Sequence, residues 1–142
     1  MADPRASVGW EGLEAEYAPF AIDNSTITYD ATKANGSAQV GLAVTLSAAK
    51  TVALTTDGCR VIGKLISVES DNLCTVQVGG YMTLPSGAGA SLTLGKAIVG
   101  DLDTSARGYI REAASGTAAE LVLCGGIIED ATDTAAVWVY LP

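Results

Sequence analysis

The chain has 142 residues with 16 acidic and 8 basic side chains, no histidine and a formal net charge of −8. This length predicts one domain with an arm. An acidic surface with few lysines excludes nucleic acid and anionic membranes as direct partners, because both require a basic face. The lack of histidine excludes Ser-His-Asp and Cys-His catalysis and His-ligated metal sites. We interpret the charge chiefly as a source of solubility.

Residues 1–35 differ in composition from the rest of the chain. They hold six acidic and two basic residues, and four of the eight aromatic residues, but no strict helix or strand period. Disordered tails are usually poor in aromatic residues. We therefore predict an extended N-terminal arm over 1–35 that docks on another surface, with a loose tail as the alternative. Residues 36–142 are assigned to a β-domain.

The start of the arm is polar, and no apolar core of a signal peptide follows it. No apolar run approaches the roughly 18 residues that a membrane span needs. The expectation is a chain made in the cytoplasm.

From residue 37 onward the sequence alternates between strand patterns and turn signals. The strongest pattern is a hairpin over 60–85, in which two alternating strands flank the polar turn 69–72. Turn signals recur every 8–12 residues, which is typical of a sandwich or barrel. The fold class that we predict is all-β, a small β-sandwich or barrel of eight or nine short strands. The predicted strands are 40–46, 51–55, 61–68, 73–84, 92–94, 96–99, 107–112, 121–129 and 134–141.

Two predicted strands, 40–46 and 134–141, are apolar on both faces. In a small sheet this indicates that another chain covers one face. Trp138 and Tyr140 share one face of the last strand, and such residues are enriched at interfaces. We predict that this face lies at a subunit interface.

Arg107 and Arg111 form a local basic pair on a predicted strand. Their guanidinium groups suit a carboxylate or carbonyl of a neighbouring subunit. The alternative is a strand face exposed to solvent.

The closest carboxylate pairs are Asp101 with Asp103, and Asp130 with Asp133. Both pairs fall in predicted turns, where aspartate caps backbone groups. The remaining ligand positions of a calcium loop are missing. The glycine-rich segment 87–91 is not followed by the Gly-Lys-Ser/Thr of a phosphate loop. We therefore predict no enzymatic activity, no cofactor, no metal and no small-molecule substrate.

The three cysteines, Cys59, Cys74 and Cys124, are far apart and form no CxxC pair. They lie in or near apolar strand patterns. We predict that they are buried free thiols that pack as small hydrophobic groups.

The segments of the β-domain resemble, in order, those of phage capsid decoration (cement) proteins. A glycine-containing strand, VIGKLISVESDN, leads to CTVQVGGYMTLP and then to the small-residue loop SGAGASLTLGKAIVG. A Gly-Gly strand, LCGGIIED, precedes the terminal AAVWVYLP. The resemblance is one of pattern over most of the β-domain, and residues 1–35 carry no matching motif.

The resemblance implies a β-tulip-like domain that binds the outer surface of an expanded icosahedral capsid, as a homotrimer in contact with the major capsid protein. It implies localisation to the virion and an arm that lies across neighbouring subunits. We expect the arm to dock through backbone pairing and aromatic side chains. The expected capsid-contacting residues are Trp10, Leu13, Tyr17, Phe20 and Ile22, and the expected trimer-interface residues are Arg107, Arg111, Trp138 and Tyr140.

Two other classes of protein stay open from the sequence. One is another β-rich virion component, such as a tail-tube, fibre or head-fibre base domain. The other is a carbohydrate-binding or hydrolytic β-domain, which would need an aromatic platform or a carboxylate pair in a cleft.

Overall fold

The computed structural model describes residues 8–10, 12–114 and 126–142 of the chain. Strands dominate this part, and a short 3-10 helix at Ala34–Gly36 interrupts them. None of its helical residues forms a helix that is long and apolar enough to cross a bilayer. The predicted all-β class is confirmed. The strands are β1 (Glu16–Ile22), β2 (Ala43–Ala48), β3 (Thr51–Leu54), β4 (Gly63–Val68), β5 (Leu73–Leu84), β6 (Ile98–Asp103), β7 (Ala106–Glu112), β8 (Ile127–Asp130) and β9 (Val137–Leu141).

The first five strands close into a barrel in the order β1-β3-β2-β4-β5. Closure depends on β1, which pairs in parallel with β3 and antiparallel with β5. Alternate side chains of these strands fill the interior, as the period-2 pattern requires. The buried residues of this barrel core are Ile22, Ile27, Val44, Val52, Leu54, Leu65, Val68, Cys74 and Val76.

The 12-residue strand β5 continues beyond the barrel. Its second half pairs with β9, and β9 pairs with β8. The β6–β7 hairpin contributes to a second core with these strands. The buried residues of this second core are Ala43, Val61, Met82, Leu84, Ile98, Ile110, Ile128, Val137, Val139 and Leu141. The predicted hairpin over 60–85 is confirmed as β4 and β5, and β5 joins the two cores.

The N-terminal region differs from the expected extended arm. Residues 16–22 form β1 inside the barrel, so the prediction of an arm over 1–35 is wrong for this part. Alternate residues of β1 face inward and end at the buried Ile22. Pro19 hides the pattern in the sequence, yet it is tolerated because the pairing with β3 covers only Ala21 and Ile22.

The segment after β1 is also part of the folded body. The Asp23 carboxylate accepts hydrogen bonds from the backbone N–H groups of Ser25, Thr26 and Ile27, and from the Thr26 hydroxyl. Burial alone would raise the pKa of Asp23, but these hydrogen bonds lower it below its ordinary value. The turn carries Ile27 into the barrel core, where its side chain is fully buried.

The turn between β6 and β7 lies later than the sequence predicted. Asp101 and Asp103 belong to β6 and pair with Tyr109 and Ala106 of β7. The chain reverses at Thr104, whose φ of 63° supplies the left-handed conformation that a two-residue hairpin turn requires.

Several strand edges outside the barrel bond to neighbouring segments of the same chain. In β8, the Ile128 N–H donates to the Lys96 carbonyl. In β6, the Gly100 N–H donates to the Cys59 carbonyl, and in β7 the Ile110 N–H donates to the Pro85 carbonyl. The barrel, being closed, also pairs its own strands. These backbone groups are thus not open to pairing with a strand of another protein.

Candidate interaction surface

The N-terminal strap, which we define as residues 8–10 and 12–15, lies on the face of the β5–β9 pair opposite the second core. Trp10 stacks on Tyr81, with ring centroids 5.4 Å apart, and meets Trp138 edge to face at 5.8 Å. Tyr81 in turn stacks on Tyr140 at 4.9 Å. We call Trp10, Tyr81, Trp138 and Tyr140 the aromatic cluster.

Strand register places three members of the cluster together. Tyr81 is directly opposite Tyr140, and Thr83 is opposite Trp138, so the rings of β5 and β9 occupy one face. The alternate residues Val137 and Val139 are fully buried on the other face. Cross-strand aromatic pairs of this kind stabilise a sheet and hold each ring in place.

The strap is attached through few polar bonds. The Tyr81 N–H donates to the Leu13 carbonyl at 3.2 Å, and the Tyr140 hydroxyl donates to Glu14 Oε2 at 3.0 Å. The bond to Glu14 and the charge of its carboxylate raise the pKa of Tyr140. Gly80 makes the close approach possible: its φ is +91°, and a Cβ there would lie 2.5 Å from the Glu14 carbonyl oxygen.

Large apolar side chains of the N-terminal region are exposed beside this cluster. Val8, Leu13 and Tyr17 are 57%, 50% and 57% exposed. Exposed apolar groups are ordinary when scattered, but these three fall within one ten-residue stretch of the chain that also holds the half-buried Trp10. We call Val8, Leu13 and Tyr17 the apolar strip.

Two open clefts flank the strap. The first, which we call the tryptophan cleft, has a volume of about 470 Å³, and the second has a volume of about 540 Å³. The lining of the tryptophan cleft is Val8, Gly9, Trp10, Leu94, Glu129, Asp130, Thr132 and Trp138. The lining of the second is Gly12, Tyr17, Lys64, Ile66, Gln77, Tyr81, Met82, Thr83 and Trp138.

The structure places the five expected capsid-contacting residues in two environments, the surface beside the strap and the barrel core. Trp10, Leu13 and Tyr17 lie on this surface, whereas Phe20 packs against the barrel core. Ile22 is only 6% exposed and belongs to that core, so its expected role as a contact residue is wrong. Burial of Ile22 follows from its place at the inward end of β1.

Trp138 and Tyr140 are half-buried on the face that the sequence predicted. Trp10 contacts Trp138, and Tyr81 contacts Tyr140, so residues of the same chain cover part of this face. Their role at a trimer interface stays a prediction.

The arginine pair bonds to groups of its own chain. The Arg107 guanidinium donates to the Leu54 carbonyl, and Arg111 Nε lies 3.0 Å from Asp57 Oδ1. These bonds join β7 to the end of β3 and the turn after it. Whether the arginines also contact a neighbouring subunit stays a prediction.

The two carboxylate pairs differ. Asp101 and Asp103 lie in strand β6, so the prediction that they lie in a turn is wrong. The second pair bonds to nearby backbone N–H groups. Asp130 accepts the Thr132 N–H at 2.9 Å, and Asp133 accepts the Ala135 N–H at 3.0 Å, which is the capping role that the sequence predicted. Among the described residues, no group of three or more His, Cys, Asp or Glu side chains is positioned to hold a metal ion.

Cys74 is buried in the barrel core, as predicted, and burial raises the pKa of its thiol to about 11. Cys59 is partly exposed, and its Sγ accepts the Thr56 N–H at 3.2 Å. Cys124 lies outside the described residues.

Sequence reasoning missed several residues of this surface. Tyr81 was not selected, although the hairpin and the last strand would place it beside Tyr140 once their register is known. Leu94 and Glu129 come from distant segments and share the tryptophan cleft only through the fold.

Comparisons with family models, with curated proteins and with solved structures return no match to this chain.

Proposed function

We propose that this chain is a structural virion protein that binds the outer surface of an expanded icosahedral capsid as a trimer and stabilises the shell. Its partner in this proposal is the major capsid protein. The single observation that carries the proposal is the exposure of the apolar strip. Val8 and Leu13 belong to the strap, which Trp10 joins to the aromatic cluster. Tyr17 belongs to the adjoining strand β1.

The apolar strip has the character of a protein interface. Apolar patches rimmed by polar groups mark contact sites, and aromatic residues dominate the energetic centre of such sites. Trp10 already contacts two rings in the free chain. A side chain held in this way loses little rotational freedom on binding, which favours affinity.

The mode of docking follows from the strand edges. We expected the arm to add a strand to a neighbouring subunit by backbone pairing. Strand β1 pairs with β5 along almost all of its length, and with β3 at Ala21 and Ile22. The stretch before Ala21 is a poor edge for such pairing, because Pro19 has no N–H to donate. The proposal is therefore docking through side chains of the strap and the β5–β9 face.

The pattern resemblance of the β-domain to decoration proteins and the acidic composition also support the proposal. A protein that binds the expanded shell and not its precursor shifts the equilibrium toward the expanded form by mass action. Such a role requires a stable body and a contact surface, and it requires no reaction chemistry.

The test uses purified protein with expanded and unexpanded heads of the virus that carries its gene, separated by sedimentation. We expect saturable binding to expanded heads, weak binding to unexpanded heads and a higher disruption temperature of the decorated shell. Tails and fibres from the same virus serve as the control. Binding to tails and not to heads would refute the proposal in favour of a tail or fibre component.

The trimer is tested separately by native mass spectrometry. We expect a species of three times the 14.4 kDa of one chain. A monomer at micromolar concentration in solution and on the shell would contradict the trimeric part of the proposal.

A further inference from the structure

The tryptophan cleft combines three kinds of group that bind the same class of ligand. Trp10 and Trp138 line it with indole rings, Glu129 and Asp130 bring two carboxylates, and Leu94, which is 63% exposed, adds an aliphatic wall. The eight lining residues include no lysine or arginine. The part of the lining that the structure describes is thus aromatic and negative, with no basic side chain among these eight residues.

These groups match a cation on an aliphatic stem. Indole is the best aromatic partner for an ammonium or guanidinium group within about 6 Å of its ring. Carboxylates supply the opposite charge, and a guanidinium group can bond a carboxylate at two points. The methylene stem of lysine or arginine packs on aliphatic surface while its head stays at the polar end. Leu94 and Val8 provide that surface.

We propose that the tryptophan cleft is a binding site for a lysine or arginine side chain of a partner protein. This inference rests on the proposed function, under which the partner segment belongs to the major capsid protein. One basic side chain of the partner enters the cleft. The apolar residues next to it in the partner contact the apolar strip of Val8, Leu13 and Tyr17. The charge of the cleft makes an acidic or neutral segment a poor fit.

The two tryptophans make the cleft directly observable. They are the only tryptophans of the chain, and both line the cleft, so intrinsic tryptophan fluorescence reports on it. The probes are Nα-acetyl-lysine amide and Nα-acetyl-arginine amide, whose side chains keep their positive charge. Nα-acetyl-norleucine amide is the uncharged control. We expect a saturable change of emission with both cations, with a dissociation constant on the order of 1 mM, and no saturation with the control.

A matched pair of variants tests the carboxylate. Glu129→Gln keeps the size of the side chain and removes its charge, and we expect at least fivefold weaker binding of both cationic probes. Glu69→Gln removes a charge in the exposed β4–β5 turn and should leave binding unchanged. Added salt should weaken binding to the wild type more than to Glu129→Gln. Equal binding of the cations to all three proteins would overturn the proposal.

An Arg5→Ala variant tests whether the chain itself supplies the cation. If the probes bind only to an Arg5→Ala variant, the chain fills its own cleft and the proposal is overturned. Full binding to the wild type supports a partner side chain.

Measurements of binding to capsid shells show whether the cleft proposal or the proposed capsid role has failed. If the wild type decorates expanded heads and Glu129→Gln does so with equal affinity, the cleft proposal fails while the capsid role stands. If the wild type binds the cationic probes but no heads, the capsid role fails while the chemistry of the cleft stands. Weaker decoration by Glu129→Gln, with Glu69→Gln unaffected, supports both.

Discussion

Strand β1 and the strap are adjacent in sequence and come from the same acidic, aromatic region, but they are held in different ways. Residues of β1 pair with strands on both sides, and Ile22 lies in the barrel core. The strap contacts the body mainly through Trp10 and through the bonds of Leu13 and Glu14. Its apolar side chains Val8 and Leu13 face solvent.

This difference in attachment distinguishes a segment that the fold requires from a segment that is available to contact a partner. A segment that closes a barrel cannot leave it without exposing the core, because every other strand depends on the closure. A segment on the surface leaves the core intact when it moves or meets a partner. We infer that β1 belongs to the fold and that the strap supplies the contact surface.

The largest expected effect comes from truncation at two points. A chain that begins at Asp23 lacks β1, which opens the barrel and removes more stability than the roughly 5–15 kcal/mol that a domain has. A chain that begins at Gly12 loses Trp10 but keeps β1, and should lose about 1–3 kcal/mol through two aromatic contacts. Circular dichroism and urea unfolding check both. A cooperative transition in the shorter chain would show that β1 is dispensable.

A single core substitution sharpens the comparison. Ile27→Ala should lower the free energy of unfolding by about 2–5 kcal/mol, because Ile27 is fully buried in the barrel core. The control Leu13→Ala changes an exposed side chain, and its free energy of unfolding should stay within about 0.5 kcal/mol of the wild-type value. Urea unfolding of both variants gives the values. Similar losses in the two variants would mean that the strap is as integral to the fold as the barrel.

A smaller effect is expected at the turn that follows β1. Asp23→Ala removes the acceptor of three N–H groups and one hydroxyl, and should cost about 1–2 kcal/mol at neutral pH. Because folding lowers the pKa of Asp23, the stability from its charge is present above the ordinary value of 3.8 and is lost as pH falls through the folded value. The difference in the free energy of unfolding between the wild type and Asp23→Asn should therefore become smaller in acid. A gap that stays constant from neutral pH to pH 2 would refute this account.

The smallest effect concerns the strap alone. Tyr140→Phe removes the hydroxyl that donates to Glu14 and should loosen the strap while the barrel is unchanged. Because folding raises the pKa of Tyr140, the bond is intact below pH 10 and is lost as pH rises through the folded value. Tryptophan emission of the wild type should change in that range in a step that Tyr140→Phe lacks. The same alkaline step in both proteins would exclude the Tyr140–Glu14 bond as its cause.

The sequence predicted the fold where hydrophobic alternation was clear. The hairpin over 60–85 became β4 and β5, and the last predicted strand became β9, with Trp138 and Tyr140 on one face. Strand β1 was missed because Pro19 and small alanines hide its alternation. Its burial depends on partners 30 and more residues away, which a local pattern does not show.

The candidate surface was predictable only in part. Trp10 and Leu13 were selected because aromatic and apolar residues are unusual in an acidic terminal region. The tryptophan cleft was not predictable, since Leu94 and Glu129 meet Trp10 through three separate segments. Local sequence determines which side chains exist, and the register between distant strands determines which of them meet.

The central claim is that the strap carries the contact with the shell while the barrel carries the fold. Sedimentation of expanded heads with wild type and with the chain that begins at Gly12 tests it most directly. We predict that the wild type sediments with the heads and that the truncated chain, still folded, stays in the supernatant. Equal binding of the two chains would contradict the account.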